Sequence, residues 1–250
     1  MKKDNFIFGI HPVIEAIKSG KEMDRVLLQK NLRGESFREL FNLIRELEIP
    51  FQFVPVEKLN RLSKQNHQGV IAYVTDISYQ KIEDILPLLY ESGRVPLILL
   101  LDGITDVRNM GAIARTAECA GVDAIVIPLK GSAMINSEAI KTSAGALYKV
   151  PVCRTTNVGE AITLMKNSGL QVIAASEKGS RNYTSVDFKS PLLLIMGSEG
   201  VGISRELLDM CDELIMIPLA GEIESLNVSV ASGVVLFEII RQRNTTDVHS

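Results

Sequence analysis

The residues best suited to act on a ligand fall in three segments: LDGITDVRNMGAIART (101–116), IMGSEGVGIS (195–204) and IPLAGEIESLNVSVASGVVLFE (217–238). Each follows an apolar run that reads as a strand, and open parallel sheets bind ligands outside the carboxyl ends of their strands. Their side chains, chiefly Asn109, Arg115, Glu199, Ser225, Asn227 and Ser229, hydrogen-bond and carry charge. That inventory suits positioning and charge control. The glycines raise a rival reading, a dinucleotide site in which pyrophosphate approaches a helix N-terminus. The spacing argues against it: Gly197, Gly200 and Gly202 run G-x-x-G-x-G, near the end of the chain and not after its first strand. No glycine-rich segment ends in Gly-Lys-Ser/Thr, so a P-loop is excluded.

The elements that must position these segments are legible from periodicity. From Pro96 onward the pattern is strand, loop, helix: PLILLLD, NMGAIARTAECAG, DAIVIP, LQVIAAS, PLLLIMG and ELIMIPL. Near-continuous apolar strands separated by helices predict an α/β fold with a parallel sheet covered on both faces. The first segment places a strand end at Asp102 and a helix opening near Asn109. Residues 1–76 alternate helical and extended patterns and predict a small α/β unit. Within it, Phe37, Leu40, Phe41, Ile44 and Leu47 line one face of a helix. Residues 77–93, SYQKIEDILPLLYESGR, carry Pro87 and Gly93 and read as a connecting helix and turn, with the second domain spanning 94–250. The tail RQRNTTDVHS reads as frayed.

The three segments, in this order, resemble the three motifs of the SpoU or TrmH group of RNA ribose 2′-O-methyltransferases over roughly residues 96–243, and SLNVSVASG is the most specific part. FGIHPVIEAI and NHQGVIAYV are similar to the substrate-binding domain, like ribosomal protein L30e, of the 23S rRNA guanosine-2′-O-methyltransferase subgroup, which KTSAGALYKVPV also resembles. The resemblance implies a SPOUT catalytic domain with a carboxyl-terminal trefoil knot, an exception to the rule against threaded connections. It implies a homodimer, S-adenosylmethionine as cofactor and RNA, 23S rRNA first, as substrate.

Residue by residue, it implies that Gly197, Ile217 and Leu226 hold the cofactor, with backbone from Glu199, Gly202 and Leu219 and help from Ser229. Core packing is the alternative for Ile217 and Leu226. Arg115 is the catalytic candidate. An arginine stays protonated in proteins, so orienting the ribose hydroxyl and a neighbouring phosphate suits it better than acting as a base; an ordinary surface arginine is the alternative. Asn109, Glu199, Asn227 and Ser225 complete the catalytic set. Glu199 calls for a partner such as Arg115 or the RNA site, or is a solvated turn acid. Asn227, Ser225 and Ser229 can cap the following helix and bond across to the first motif. Relatives often carry a proline in the first motif where this chain has TDVRNMG, which leaves the stiffness of that loop open. Arg108 there is a phosphate contact or a plain surface residue. In the first unit, His11 and His67-Gln68-Gly69 match the substrate domain, and Lys2, Lys3, Lys18, Lys21 and Lys64 are candidate phosphate contacts by charge.

Composition bounds the alternatives. Of 250 residues, 46% are hydrophobic, enough for a real core. The apolar runs fall short of the roughly 20 residues that span a bilayer, and Asp4, His11 and Glu15 interrupt any secretion signal, so a cytoplasmic protein is expected. Three scattered cysteines, Cys119, Cys153 and Cys211, read as reduced core residues. With His11, His67 and His249 unclustered, no metal is expected. The net charge of -3 supplies no global basic field. Two further readings stay open: a tRNA ribose methyltransferase, and a non-catalytic RNA-binding ribosome assembly factor.

Overall fold

The computed structural model describes residues 6–244, which fall into two compact units. The first comprises Met1–Ser78 with Met134–Ser137, the second Tyr79–Ala133 with Glu138–Ser250. The segment around Met134 joins the first unit, a return of the chain that periodicity does not reveal.

The first unit runs β1 (Phe6–Phe8), α1 (Ile10–Lys18), β2 (Met23–Gln29), α2 (Glu35–Glu46), β3 (Phe51–Val54), α3 (Val56–Leu62) and β4 (Val70–Val74). Its sheet has the order β1-β4-β2-β3, antiparallel except for β2 with β3. On α2 the four-residue step buries Leu40 and Ile44 completely, and Phe37 and Phe41 pack at the margin of the same core. Leu47, expected on that face, is the residue after the last turn and is 55% exposed.

The second unit contains α4 (Ile82–Glu91), β5 (Leu97–Asp102), α5 (Val107–Cys119), β6 (Ala124–Pro128), α6 (Ser137–Thr142, whose first residue belongs to the first unit), β7 (Val152–Thr155), α7 (Val158–Asn167), β8 (Gln171–Ala175), β9 (Arg181–Asn182), β10 (Leu192–Gly197), α8 (Arg205–Leu208), β11 (Glu213–Met216) and α9 (Val228–Asn244). Seven parallel strands form one sheet in the order β7-β6-β5-β10-β8-β11-β9. Leu97–Leu101 and Leu192–Met196 are buried without alternation, as central strands covered on both faces require.

The expected linker is largely core. In α4, Ile82, Ile85, Leu86 and Leu89 are buried against the sheet of the second unit. At about 1.5–3 kcal/mol per buried aliphatic side chain, that face docks the helix firmly, with Pro87 on its exposed side. Of the expected tail, Arg241–Asn244 form the end of α9, and 245–250 lie outside the described residues. Cys153 is buried, which pushes its thiol up to about 12, whereas Cys119 is exposed and not part of the core.

Candidate active site

The carboxyl ends of β5, β10 and β11 deliver the three predicted loops to one place. After β10 the chain makes a tight loop in which Ser198 N donates to Gly202 O (3.2 Å) and Gly202 N donates to Ser198 O (2.9 Å). Gly197 permits this closure: a Cβ there would stand 2.3 Å from the carbonyl carbon of Gly202. Gly202 itself has φ +72°, the left-handed region that favours glycine. At the end of β5, Asp102 Oδ2 accepts from Ser204 N at 2.9 Å and ties the loop to the neighbouring strand.

The helix of the first motif opens at Val107, two residues before Asn109. Asp106 caps it, its Oδ1 accepting from Arg108 N (2.7 Å) and Asn109 N (2.9 Å). This cap fixes the turn from the first loop into α5. It also sets Asn109 in the first turn, where Nδ2 donates to Glu199 Oε1 at 3.1 Å. Asn227 closes the set: its Nδ2 donates to Asn109 Oδ1 (3.1 Å) and, in a short contact, to Glu199 Oε1, while Val228 N donates to the same oxygen at 3.2 Å. On its other side Asn227 Oδ1 accepts from Ser229 N (3.0 Å) and Ser229 Oγ (2.5 Å) at the start of α9. One carboxylate oxygen thus holds together groups 90 and 28 residues away in sequence.

Beside this network lies a cleft of about 340 Å³. Gly197, Glu199, Gly202, Ile217, Leu219, Ser225 and Leu226 line it, together with Glu177 and Glu224, neither of which the sequence singled out. Leu219 and Leu226 are 41% and 37% exposed and Ile217 is half-buried, so none of the three is a fully buried core residue. Apolar side chains beside backbone at strand ends suit a flat heterocycle, and the glutamates suit a cationic or hydroxyl-bearing group.

Arg115 stands apart. Six residues beyond Asn109, it is displaced by about 9 Å along the helix; it is exposed, does not line the cleft, and among the described residues has no hydrogen bond or ion pair. Glu199 therefore takes Asn109 and Asn227 as partners, not Arg115. Arg108 pairs with Glu138 at 3.4 Å.

In the first unit the signature residues are occupied internally. His67 is buried, its Nδ1 accepting from Gly69 N (3.0 Å), so its Nε2 donates to Asn60 Oδ1 (2.8 Å). Gln68 Oε1 accepts from Ile10 N (3.1 Å) at the start of α1. His11 meets Ser36 Oγ at 3.4 Å, and Lys18 pairs with Glu39 at 2.7 Å. Lys21 and Lys64 are exposed, and Lys2 and Lys3 lie outside the described residues.

Residues 96–237, more than half of the chain, match the SpoU rRNA Methylase family. The chain belongs to that family. Residues 6–80 match a second model, RNA 2′-O ribose methyltransferase substrate binding. A TrmH family tRNA/rRNA methyltransferase of Staphylococcus saprophyticus is 35% identical over 238 residues, 95% of this chain and 96% of that one. Among solved structures, the SpoU methyltransferase AviRb from Streptomyces viridochromogenes, in complex with AdoMet, is 25% identical with a TM-score of 0.61, covering 96% of this chain and 90% of that one. An AdoMet-bound rRNA methyltransferase from Sinorhizobium meliloti is 27% identical, with a TM-score of 0.60 and coverage of 94% and 86%. This member of the family is an RNA methyltransferase with a substrate-binding unit ahead of its catalytic one.

Proposed function

We propose that this methyltransferase moves the methyl group of S-adenosylmethionine to the ribose 2′-hydroxyl of a guanosine in 23S rRNA. The observation that carries the reading is the meeting of Asn109, Glu199 and Asn227 at the edge of a cleft walled by Gly197, Ile217 and Leu226. The residues present fit the cofactor: apolar Leu219 and Leu226 face a cleft that also carries Glu177, Glu199 and Glu224, a negative lining for a molecule bearing an ammonium and a sulfonium. S-adenosylmethionine supplies an activated methyl group. The chain supplies the rest: backbone at Gly197, Gly202, Ile217 and Leu219 to seat the nucleoside, Ser225 on the cleft wall, and Ser229, bonded to Asn227, to order the third loop. Arg115, exposed, unpartnered among the described residues and outside the cleft of its own chain, is available to orient the target hydroxyl and a neighbouring phosphate of a bound RNA while staying protonated.

The first unit grips the RNA, and the enzyme works in the cytoplasm as a homodimer. Val230 and Phe237, 52% and 53% exposed and two helical turns apart on α9, support self-association, which light scattering measures directly. A trefoil knot belongs to the same reading; the placement of β10 between β5 and β8, with α9 returning against α5, supports it.

The test is transfer of label from S-adenosylmethionine to total RNA of a strain lacking the protein, followed by mapping. Label on a ribose of 23S rRNA is expected; label on tRNA would move the assignment to the other RNA class, label on a base would overturn the ribose chemistry, and no transfer would overturn catalysis. Arg115→Ala is expected to abolish transfer and keep S-adenosylhomocysteine binding. Equal loss of both would make Arg115 structural.

A further inference from the structure

We infer that Glu177 recognises the nucleoside in this cleft, its carboxylate accepting hydrogen bonds from the ribose 2′- and 3′-hydroxyls. The inference rests on the cofactor reading above and deepens it. Glu177 follows β8, the strand beside β10 in the sheet, so an acid stands at the end of the strand adjacent to the glycine loop. Open parallel sheets bind ligands outside the carboxyl ends of their strands, and in the dinucleotide-binding kind a carboxylate at the strand end beside the glycine loop meets the ribose hydroxyls; Glu177 stands in the same spatial relation to its glycine loop, though the motif itself is different.

The position is built into the backbone. Ser176 N donates to Ile215 O (2.9 Å), and the turn is closed by Gly179 N to Ser176 O (3.0 Å) and Lys178 N to Ser176 Oγ (3.2 Å). Gly179 is pressed onto β11: a Cβ there would lie 2.4 Å from the carbonyl carbon of Ile215, two residues before the cleft wall at Ile217. Glu177 at the tip of this pinned turn lines the cleft, and its carboxylate oxygens lie 3.6 and 3.9 Å from where a Cβ on Gly202 would stand.

The side chain is exposed and, among the described residues, makes no hydrogen bond or ion pair, so both oxygens remain available as acceptors. A vicinal diol offers two donors to match them. A purely coulombic contact with a cationic centre would be weakened by solvent and salt at such an exposed position, whereas hydrogen bonds to a charged acceptor retain their directionality.

Calorimetry with S-adenosylmethionine, with S-adenosylhomocysteine, which lacks the sulfonium charge, and with the 2′-deoxy analogue of the latter tests this on the wild type, Glu177→Gln and Glu177→Ala. Glu177→Ala is expected to weaken S-adenosylhomocysteine about tenfold and Glu177→Gln less. The deoxy analogue, which keeps only the 3′-hydroxyl as donor, should bind the wild type more weakly and lose less than S-adenosylhomocysteine to either substitution. Unchanged affinity in Glu177→Ala, or equal losses for both ligands, would overturn the assignment. So would a loss much greater for S-adenosylmethionine than for S-adenosylhomocysteine, which would give the carboxylate to the cationic centre. A wild type that binds neither compound would instead sink the cofactor reading. An unchanged melting temperature in Glu177→Ala confirms that folding is not what is being measured.

Discussion

The two ends of the seven-stranded sheet use similar side chains for opposite purposes. At the amino end, charged groups are engaged by backbone: Arg243 donates to the carbonyls of Phe188 (3.0 Å), Val95 (2.9 Å), Pro96 (3.2 Å) and Ser190 (2.9 Å). Asp123 accepts from Leu97 N (2.9 Å), and Asp212, ion-paired with Lys166, accepts from Val172 N (2.8 Å). Burial pushes the Asp123 carboxyl above its ordinary value, against the pull of Leu97 N and Arg94. These groups complete hydrogen bonds that the first residues of strands and their approaches would otherwise lack. At the carboxyl end the bonds run between loops, through Asn109, Glu199 and Asn227, beside acids that face a cleft. One end closes the fold; under the proposed function the other arranges chemistry, and the two should separate under mutation.

The largest separation is expected at Glu199. Glu199→Ala removes the acceptor shared by two side chains and Val228 N. Methyl transfer should fall about 100-fold or more, the scale of losing a preorganising group. The melting temperature should move by only about 2–4 °C, since the residue is exposed and roughly 1 kcal/mol is at stake. A melting shift several times larger with little loss of turnover would erase the contrast.

That contrast was partly legible in the sequence. Continuous apolar runs gave away β5, β6, β8, β10 and β11, because central parallel strands carry no polar face to confuse the pattern. The two-residue β9 and the four-residue β7 were missed; both sit at sheet edges, where a short segment leaves no period to detect. Asn109, Glu199 and Asn227 were visible as polar residues at strand ends, but their shared oxygen was not, since no spacing rule links residues 118 apart. Glu177 left one faint signal, an acid in SEKG directly after a strand. The anchoring of Arg243 left none: in sequence it is one more charge in a polar tail.

Arg243→Ala is the next largest effect, and it belongs to the amino end. Removing a partly buried guanidinium strands four carbonyls, of which solvent will recover some; a loss of about 3 kcal/mol is expected. For a chain of this size that corresponds to a fall in melting temperature of about 6–12 °C. Turnover per folded molecule at 20 °C should stay within about twofold, and Arg243→Lys should restore only part of the stability, since an ammonium cannot reach four acceptors at once. Lost turnover in fully folded Arg243→Ala would show the two ends to be coupled through α9.

The smallest effect resolves the amino end by pH. On α9, Glu238 accepts from Arg241 Nε and Nη2, both at 2.8 Å, and from Gln242 Nε2 at 2.8 Å, while Gln242 Oε1 accepts from Phe188 N at 3.0 Å. Hydrogen bonding to Arg241, and secondarily to Gln242, outweighs burial and lowers the Glu238 pKa to about 2. In the unfolded chain the group titrates near 4.3. The folded form therefore binds its proton less readily, and the stability it contributes is complete above the unfolded value and lost as pH falls from about 4.3 to about 2. With Arg241 63% exposed, that contribution is about 1 kcal/mol at pH 7. Urea unfolding of wild type and Glu238→Gln should show a constant gap from pH 7 to 5 that narrows by pH 3. A gap that stays constant down to pH 2.5 would mean that the side chain acts by shape and neutral hydrogen bonding alone, leaving the anchoring of the helix end to Arg243 and its backbone acceptors.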